Sequence, residues 1–94
     1  MELRVLVGGK AGQGIAKLGV VIARIFTNLG YYVFNYRDYP SLIKGGHNYN
    51  VLRISSKPIY SHEESDIDIL IALDENTFAK HKDKLKKNCI IICD

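Results

Sequence analysis

The sequence predicts an α/β domain of the Rossmann-like type, with a mostly parallel sheet of about five strands and two long helices. Short runs rich in Ile, Val and Leu recur along the chain and are bounded by glycine or polar residues, as buried strands are. A glycine-rich segment and a stretch with helical apolar spacing follow the first run, and an aromatic strand comes next. Strand, helix and strand within about 35 residues form a βαβ unit.

The composition supports one globular domain over residues 1–94. Of these 94 residues, 47% are hydrophobic and 24% are charged, which excludes a disordered chain. The longest apolar run, 18–23, is far shorter than the ~20 residues of a membrane span, so we expect no membrane segment. A net charge of +3 suits an anionic ligand but is too small to indicate nucleic acid.

The first half of the chain is predicted as a strand at 2–7, a helix at 15–29 and a strand at 31–36. The helix carries apolar residues on most of its circumference, so we expect it to be covered on several sides. Gly30 should end this helix in a left-handed conformation.

The second half has three further predicted strands, at 48–55, 67–73 and 89–93. Asp74 is expected to cap a helix at 75–87, with Phe78 and Leu85 pointing inward. Only two long helices then serve about five strands, whereas an α/β layer structure covers both faces of its sheet with helices. We therefore expect the domain to be incomplete, either truncated or completed by other chains.

Four glycines fall within residues 8–14, between the first strand and the helix. Free N–H groups at a helix start favour an anion, most often phosphate, and glycine lets a ligand approach closely. Spacing rejects two known phosphate motifs: Lys17 stands where a dinucleotide fingerprint from Gly12 needs glycine, and Ile15 stands where a P-loop needs lysine. We interpret the segment as a phosphate-contacting loop to which Lys10 adds charge, the alternative being a tight turn with no ligand.

The loop after the second strand spans 38–46. Pro40 restricts its backbone, and the pair of glycines at 45 and 46 makes the backbone more flexible. It can lie near the glycine loop, at the carboxyl edge of the strands where ligands usually bind. Lys44 supplies a charge, and His47 and Asn48 supply directional hydrogen bonds. On its chemistry alone this is an anion- or cofactor-contacting loop.

Four motifs follow one another along nearly the whole chain. They are Gly-Gly-Lys-Ala-Gly-Gln-Gly at 8–14, Asp-Tyr-Pro-Ser-Leu-Ile-Lys-Gly-Gly-His-Asn at 38–48, Val-Leu-Arg-Ile-Ser at 51–55 and Asp-Ile-Leu-Ile-Ala-Leu-Asp at 68–74. Together they resemble the gamma domain of 2-oxoacid:ferredoxin oxidoreductases. The Lys-Gly-Gly-His-Asn form is most similar to the 2-oxoglutarate branch, in which this domain is the N-terminal part of a fused alpha subunit.

The resemblance implies one part of an enzyme that oxidatively decarboxylates a 2-oxoacid, here 2-oxoglutarate, to an acyl-CoA and passes electrons to ferredoxin. It implies thiamine pyrophosphate, Mg²⁺ and iron–sulfur clusters held largely by other domains, with no catalytic residue and no metal site in this one. The domain itself would contribute to coenzyme A binding and to assembly with the other subunits. The implied CoA contacts are Gly9, Lys10, Gly12, Gln13, Gly14, Lys44, Gly45, Gly46, His47 and Asn48.

Five lysines between positions 80 and 87 make the predicted second helix basic. They are either a solubilising face or a docking surface for an acidic partner such as ferredoxin. His81 on the same helix is expected to be exposed. The acidic segment 62–68 is interpreted as a solvated loop rather than a metal site, because no ligand spacing fits.

Cys89 and Cys93 lie four positions apart in a predicted strand, about 13 Å from each other, which is too far for a disulfide. A reduced, cytoplasmic chain is the simplest interpretation. A second hypothesis remains open: a stand-alone Rossmann-like nucleotide-binding or regulatory module that shares the glycine loop. The first hypothesis alone predicts thiamine-pyrophosphate domains and ferredoxin-type cysteines encoded beside this chain.

Overall fold

In the computed structural model, which describes residues 2–10, 14–38, 47–61 and 65–93, five strands and two helices form the fold. The strands are β1 (Glu2–Lys10), β2 (Tyr32–Asp38), β3 (His47–Ser55), β4 (Ile67–Ala72) and β5 (Leu85–Cys93). The helices are α1 (Ile15–Asn28) and α2 (Glu75–His81), and a 3₁₀ turn at Lys82–Lys84 follows α2. The sheet order is β2-β3-β1-β4-β5.

The sheet is mixed, because β3 runs antiparallel to both of its neighbours while β1 pairs with β4, and β4 with β5, in parallel. The predicted α/β class is confirmed, and β1, β2, β4 and β5 share one direction. The connection α1 carries the chain over β3 rather than to an adjacent strand. Residues 39–46 alone separate β2 from β3, and so short a connection favours an antiparallel neighbour.

Helix α1 covers one face of the sheet, which we call the α1 face. Val5 and Val7 of β1 and Leu52 and Ile54 of β3 are buried there against Ile15 and the inner side of the helix. Alternation along the strands sends Leu6, Tyr49, Val51 and Leu70 to the opposite side, the α2 face, which forms a second cluster. As predicted, Gly30 is left-handed, with φ of 95°.

Close approach of α1 to β3 depends on Gly19. A Cβ atom built at this position would overlap Nδ2 of Asn50, whose side chain is fully buried and donates to the carbonyl of Ile15 over 3.5 Å. The missing side chain therefore lets the helix lie directly on a buried amide.

The second half of the chain differs from the prediction in two places. Helix α2 ends at His81 instead of 87, so the second helix is short, and β5 begins at Leu85 instead of 89. Parallel pairing of Leu85 with Ile67 continues the sheet and replaces the last turns of the predicted helix. The lysines consequently do not share one helix face, since Lys86 lies on β5 and pairs with Asp68 at 2.8 Å.

Phe78 was expected to point inward, but its side chain is 45% exposed. The Asp74 cap is confirmed, because its Oδ1 accepts from the Thr77 backbone N–H at 3.1 Å. Both cysteines are free, as predicted, and burial raises the pKa of the Cys89 thiol. Within the described ranges, no helix is long and apolar enough to cross a membrane.

A network of ion pairs lies at the end of the sheet where β1 begins. The Glu2 carboxylate accepts from Arg4 Nε at 2.7 Å and from Arg53 Nε at 2.9 Å, and Arg53 adds a second contact at 3.0 Å. These two guanidinium groups lower the pKa of Glu2 from 4.5 to about 2, the hydrogen bond from Arg53 being the largest cause.

Gly19→Ala should lower the free energy of unfolding by about 1–3 kcal/mol, although alanine is the better helix former by about 1 kcal/mol. The new methyl group displaces the buried amide of Asn50. In an Asn50→Ser background the same substitution should be neutral or stabilising, as measured by urea unfolding of the four proteins of the cycle. An equal loss in both backgrounds would contradict the contact.

Glu2→Gln should lower the free energy of unfolding at pH 7 by about 1–2 kcal/mol, less than the full pKa shift implies, because the pair is partly exposed and screened. A carboxyl group with a lowered pKa stabilises the fold above pH 4.5 and loses that contribution as pH falls towards 2. The unfolding free energy of the natural chain should therefore fall more steeply over this range than that of the variant. Parallel pH profiles for the two proteins would exclude this role of Glu2.

Candidate functional site

The strands that flank both predicted loops end at one edge of the sheet, which we call the carboxyl edge. Strand β1 ends at Lys10 opposite His47, where β3 begins, and β2 ends at Asp38 opposite Tyr49. The end of β4 lies beside them, since Ala72 pairs with Gly8. The strands that flank the glycine loop and the second loop therefore end side by side, while residues 11–13 and 39–46 of these loops lie outside the described residues.

The predicted contact residues are divided among three places. Gly9 and Lys10 belong to β1, which runs three residues further than predicted, and His47 and Asn48 belong to β3. Gly14 is the residue before α1, left-handed with φ of 79°, and its carbonyl accepts from the Leu18 N–H at 3.0 Å. Outside the described residues lie Gly12, Gln13, Lys44, Gly45 and Gly46.

His47 and Asn48 do not face the same side. Consecutive strand residues point to opposite faces. Asn48 pairs with Gly9 and is 5% exposed on the α1 face, near the start of α1. His47 lies on the α2 face beside Lys10, which is exposed. The edge can therefore contact a ligand from two sides, with different residues on each.

A histidine pair that the sequence did not predict lies on the α2 face. The Nε2 atoms of His47 and His81 are 2.7 Å apart. Tyr49 packs against both rings, with its centroid 6.1 Å from that of His47 and 4.5 Å from that of His81. His81 was expected to be exposed, but it is 3% exposed. The signal in the sequence was its i, i+4 spacing from Thr77, which places both residues on one side of α2.

The contact of α2 with the sheet depends on the absence of a side chain at Gly8. Thr77 is fully buried there, and its hydroxyl donates to Asp74 at 2.8 Å. A Cβ atom on Gly8 would lie 2.7 Å from Thr77 Cγ2 and 3.1 Å from His47 Cε1. The small Thr77, rather than the larger Phe78, therefore faces the sheet.

Charged groups of both signs lie near this pair. Burial is the main cause that lowers the pKa of His47; Asp74, the largest of the charge effects, raises it, and Lys80 and Lys84 lower it. The Lys84 ammonium also lies 4.8 Å from the centroid of the Tyr49 ring. Lys10, which pairs with His47, adds a third ammonium group to this part of the edge.

A cleft of about 610 Å³ lies at the ends of β1, β4 and β5. Lys10, Asp74, Glu75, Phe78 and Cys93 are among its lining residues. It combines a cation, two carboxylates and an exposed aromatic ring, a mixed lining suited to a polar organic ligand. Among the residues the structure describes, no three His, Cys, Asp or Glu side chains are grouped to hold a metal ion.

Comparison with known proteins identifies the family. The family described as "Pyruvate ferredoxin/flavodoxin oxidoreductase" matches residues 4–94, almost the whole chain. The chain belongs to this family. A 2-oxoacid:ferredoxin oxidoreductase alpha subunit from Sulfolobus sp is 38% identical to it over 81 residues, which are 86% of this chain and 13% of that protein.

Solved structures of the family share the fold. A 2-oxoglutarate:ferredoxin oxidoreductase from Magnetococcus marinus, solved with 2-oxoglutarate, coenzyme A and succinyl-CoA bound, matches 99% of this chain and 16% of its own, with a TM-score of 0.87 and 29% identity. A pyruvate oxidoreductase subunit from Thermotoga maritima matches 98% of this chain and 49% of its own, with a TM-score of 0.80; at 19% identity it shows the fold alone. The chain thus spans a small part of the alpha subunits it matches.

In this member of the oxidoreductase family, Gly8→Ala should lower the free energy of unfolding by about 1–3 kcal/mol, because the new methyl group overlaps Thr77 and crowds His47. Thr77→Ser removes the overlapping methyl group and keeps the hydroxyl that bonds Asp74. The double variant Gly8→Ala, Thr77→Ser should recover at least half of the loss in thermal or urea unfolding. No recovery would show that the loss arises elsewhere.

Proposed function

We propose that the chain is a gamma-type domain of a 2-oxoacid:ferredoxin oxidoreductase, spanning residues 1–94, that contributes to coenzyme A binding and to assembly of the complex. The observation that carries the CoA assignment is that the strands flanking both predicted loops end at one edge of the sheet, where Lys10 lies opposite His47. The domain has no catalytic role by itself in this proposal. Membership of the family and the CoA-bound Magnetococcus relative support it.

Coenzyme A carries several phosphate charges, and the edge offers two kinds of group to them. On the α2 face, the ammonium groups of Lys10 and Lys84 supply long-range attraction, and His47 lies between their elements. On the α1 face, backbone N–H groups at the start of α1 follow the left-handed Gly14 and point towards the glycine loop. Gly9, Gly12, Gln13, Lys44, Gly45, Gly46 and Asn48 complete the proposed set of contacts.

The proposed reaction of the whole enzyme is the oxidative decarboxylation of 2-oxoglutarate to an acyl-CoA, with electrons passed to ferredoxin. The Lys-Gly-Gly-His-Asn motif at 44–48 and the 2-oxoglutarate enzyme among the structural relatives support this substrate. Thiamine pyrophosphate, Mg²⁺ and iron–sulfur clusters are proposed to be held by other domains, and the complex is proposed to be cytoplasmic, with no nucleic-acid or membrane partner.

The exposed apolar surface supports a role in assembly. Ile90 and Ile92 on the edge strand β5 are 59% and 50% exposed. Helix α1 does not cover them, because its main contacts are with β1, β2 and β3. Val21 and Ile25 of α1 are also exposed, at 45% and 51%. Apolar surface of this kind on a small domain marks a place where another protein segment packs. We propose that further domains of the oxidoreductase cover it.

The CoA assignment is tested by titrating coenzyme A against the chain alone and against the complex formed with the subunits encoded beside it. Lys10→Ala and Lys44→Ala should each weaken CoA binding about three- to tenfold, because each removes a charge near the phosphates. Gly12→Val should weaken it at least as much by blocking close approach of the backbone. The matched control Lys57→Ala, an exposed lysine beyond the opposite end of β3, should change affinity less than twofold.

If the three site variants bound CoA as tightly as the control Lys57→Ala and the natural chain, the proposed site would be refuted. ATP bound more tightly than CoA, in a chain encoded without thiamine-pyrophosphate or iron–sulfur neighbours, would favour the stand-alone nucleotide-binding module instead.

A further inference from the structure

The imidazoles of His47 and His81 touch each other directly. Their Nε2 atoms are 2.7 Å apart and their ring centroids 4.9 Å apart. Two imidazole nitrogens make a hydrogen bond only when one carries a proton and the other offers a lone pair. The contact leaves no room for a bridging metal ion, because Zn–N bonds of about 2.0–2.1 Å would hold the two nitrogens about 3.3 Å apart.

Counting protons shows how such a pair can titrate. The neutral pair has two ring protons on four nitrogens, and the bridge holds one of them, so one Nδ1 carries a proton and the other has a bare lone pair. A third proton can only join that bare Nδ1, which leaves one positive charge on the pair. A fourth would set two N–H donors against each other inside a site where His81 is 3% exposed. The pair therefore titrates as one unit between neutral and singly charged.

Charged groups face the pair from each element around it. Lys10 lies opposite His47 on β1, Lys80 is on α2 and Lys84 is on the 3₁₀ turn, while Asp74 caps α2. Burial is the largest cause that lowers the pKa of His47; Asp74 raises it and Lys80 and Lys84 lower it, and the net result is a pKa below the ordinary value. These surroundings favour the neutral pair when no ligand is bound. An anion at the same edge reverses this preference, because it stabilises an added positive charge.

We propose that His47 and His81 form one proton-sharing unit that takes up a single proton when an anionic group binds at the carboxyl edge. The inference rests on the proposed function in taking this edge as the anion site. His81 is a positioning residue, since it is buried and acts through its hydrogen bond to His47. Anion affinity consequently rises as pH falls, and each binding event carries a proton into the protein.

The test uses sulfate and coenzyme A as separate probes of the full 94-residue chain. Sulfate keeps its charge between pH 6 and 8, so any pH dependence of its binding belongs to the protein. Calorimetry in two buffers of different ionisation enthalpy measures both affinity and proton uptake. Sulfate should bind about three- to sixfold more tightly at pH 6 than at pH 8, with net proton uptake, because a rise of one pKa unit on binding gives its full tenfold gain only well below the pKa of the free pair.

The double variant His47→Gln, His81→Gln keeps hydrogen-bonding amides across the contact but cannot titrate. In this variant the affinity for sulfate should no longer depend on pH between 6 and 8. His62→Gln is the matched control, because His62 is the third histidine of the sequence and is not part of the pair. It should keep the full pH dependence.

A pH-independent sulfate affinity, a double variant that keeps the gain, or no anion binding at all would each overturn the inference. If the double variant does not fold, NMR of the histidines of the natural chain decides. Independent titrations of His47 and His81 near pH 6.5 would overturn the inference. One coupled titration of the two rings that moves to higher pH with sulfate supports it. Proton-linked sulfate binding without CoA binding supports the pair and refutes the CoA assignment. CoA binding that Lys10→Ala weakens, without proton uptake, supports the CoA site and overturns the pair.

Discussion

Strand β3 pairs with β1 over nine residues on one side and with β2 over seven on the other, running against both. Its two faces carry the contacts on which each side of the sheet depends. On the α1 face, the buried amide of Asn50 sets how closely the helix approaches at Gly19. On the α2 face, Tyr49 packs against the histidine pair. Because β3 begins at His47, directly opposite the end of β1, the same pairing also brings the strand ends that flank the two predicted loops to one edge.

The two ends of the sheet are electrostatically different. Where β1 begins, carboxylates and cations neutralise one another: Glu2 bonds Arg4 and Arg53, and Asp68 pairs with Lys86. At the carboxyl edge, the ammonium groups of Lys10, Lys80 and Lys84 lie near the carboxylates of Asp74 and Glu75, and Asp74 also bonds Thr77. Of the lysines predicted to share one helix, Lys80 and Lys84 lie near the carboxyl edge, and Lys86 lies at the opposite end.

Sequence patterns predicted elements well where local periodicity decides them. The strands around Val5, Leu52 and Leu70, the Asp74 cap and the left-handed Gly30 follow from residue type and spacing. The position of β3 between β1 and β2 could not be predicted, because pairing partners are set by tertiary contacts that no local pattern encodes. The second helix was predicted six residues too long, since lysine favours helices and only the pairing of Leu85 with β4 overrides that preference. His81 was misplaced because the helix turns a threonine and a histidine, not Phe78, towards the sheet.

The sequence predicted the two loops of the candidate site and their lysines, but not which face of the sheet each residue lies on. Alternation in β3 separates His47 from its neighbour Asn48, so residues adjacent in one motif serve opposite faces of the edge. Conversely, His47 and His81 are 34 positions apart and share a hydrogen bond that only the packing of α2 over Gly8 makes possible. Because α2 has only seven residues and rests on that contact, its docking and the state of the histidine pair are coupled. The proposed partner domain, packed beside the exposed Ile90, would lie three residues along β5 from Cys93, which lines the cleft. Its packing would therefore also change the surroundings of the cleft.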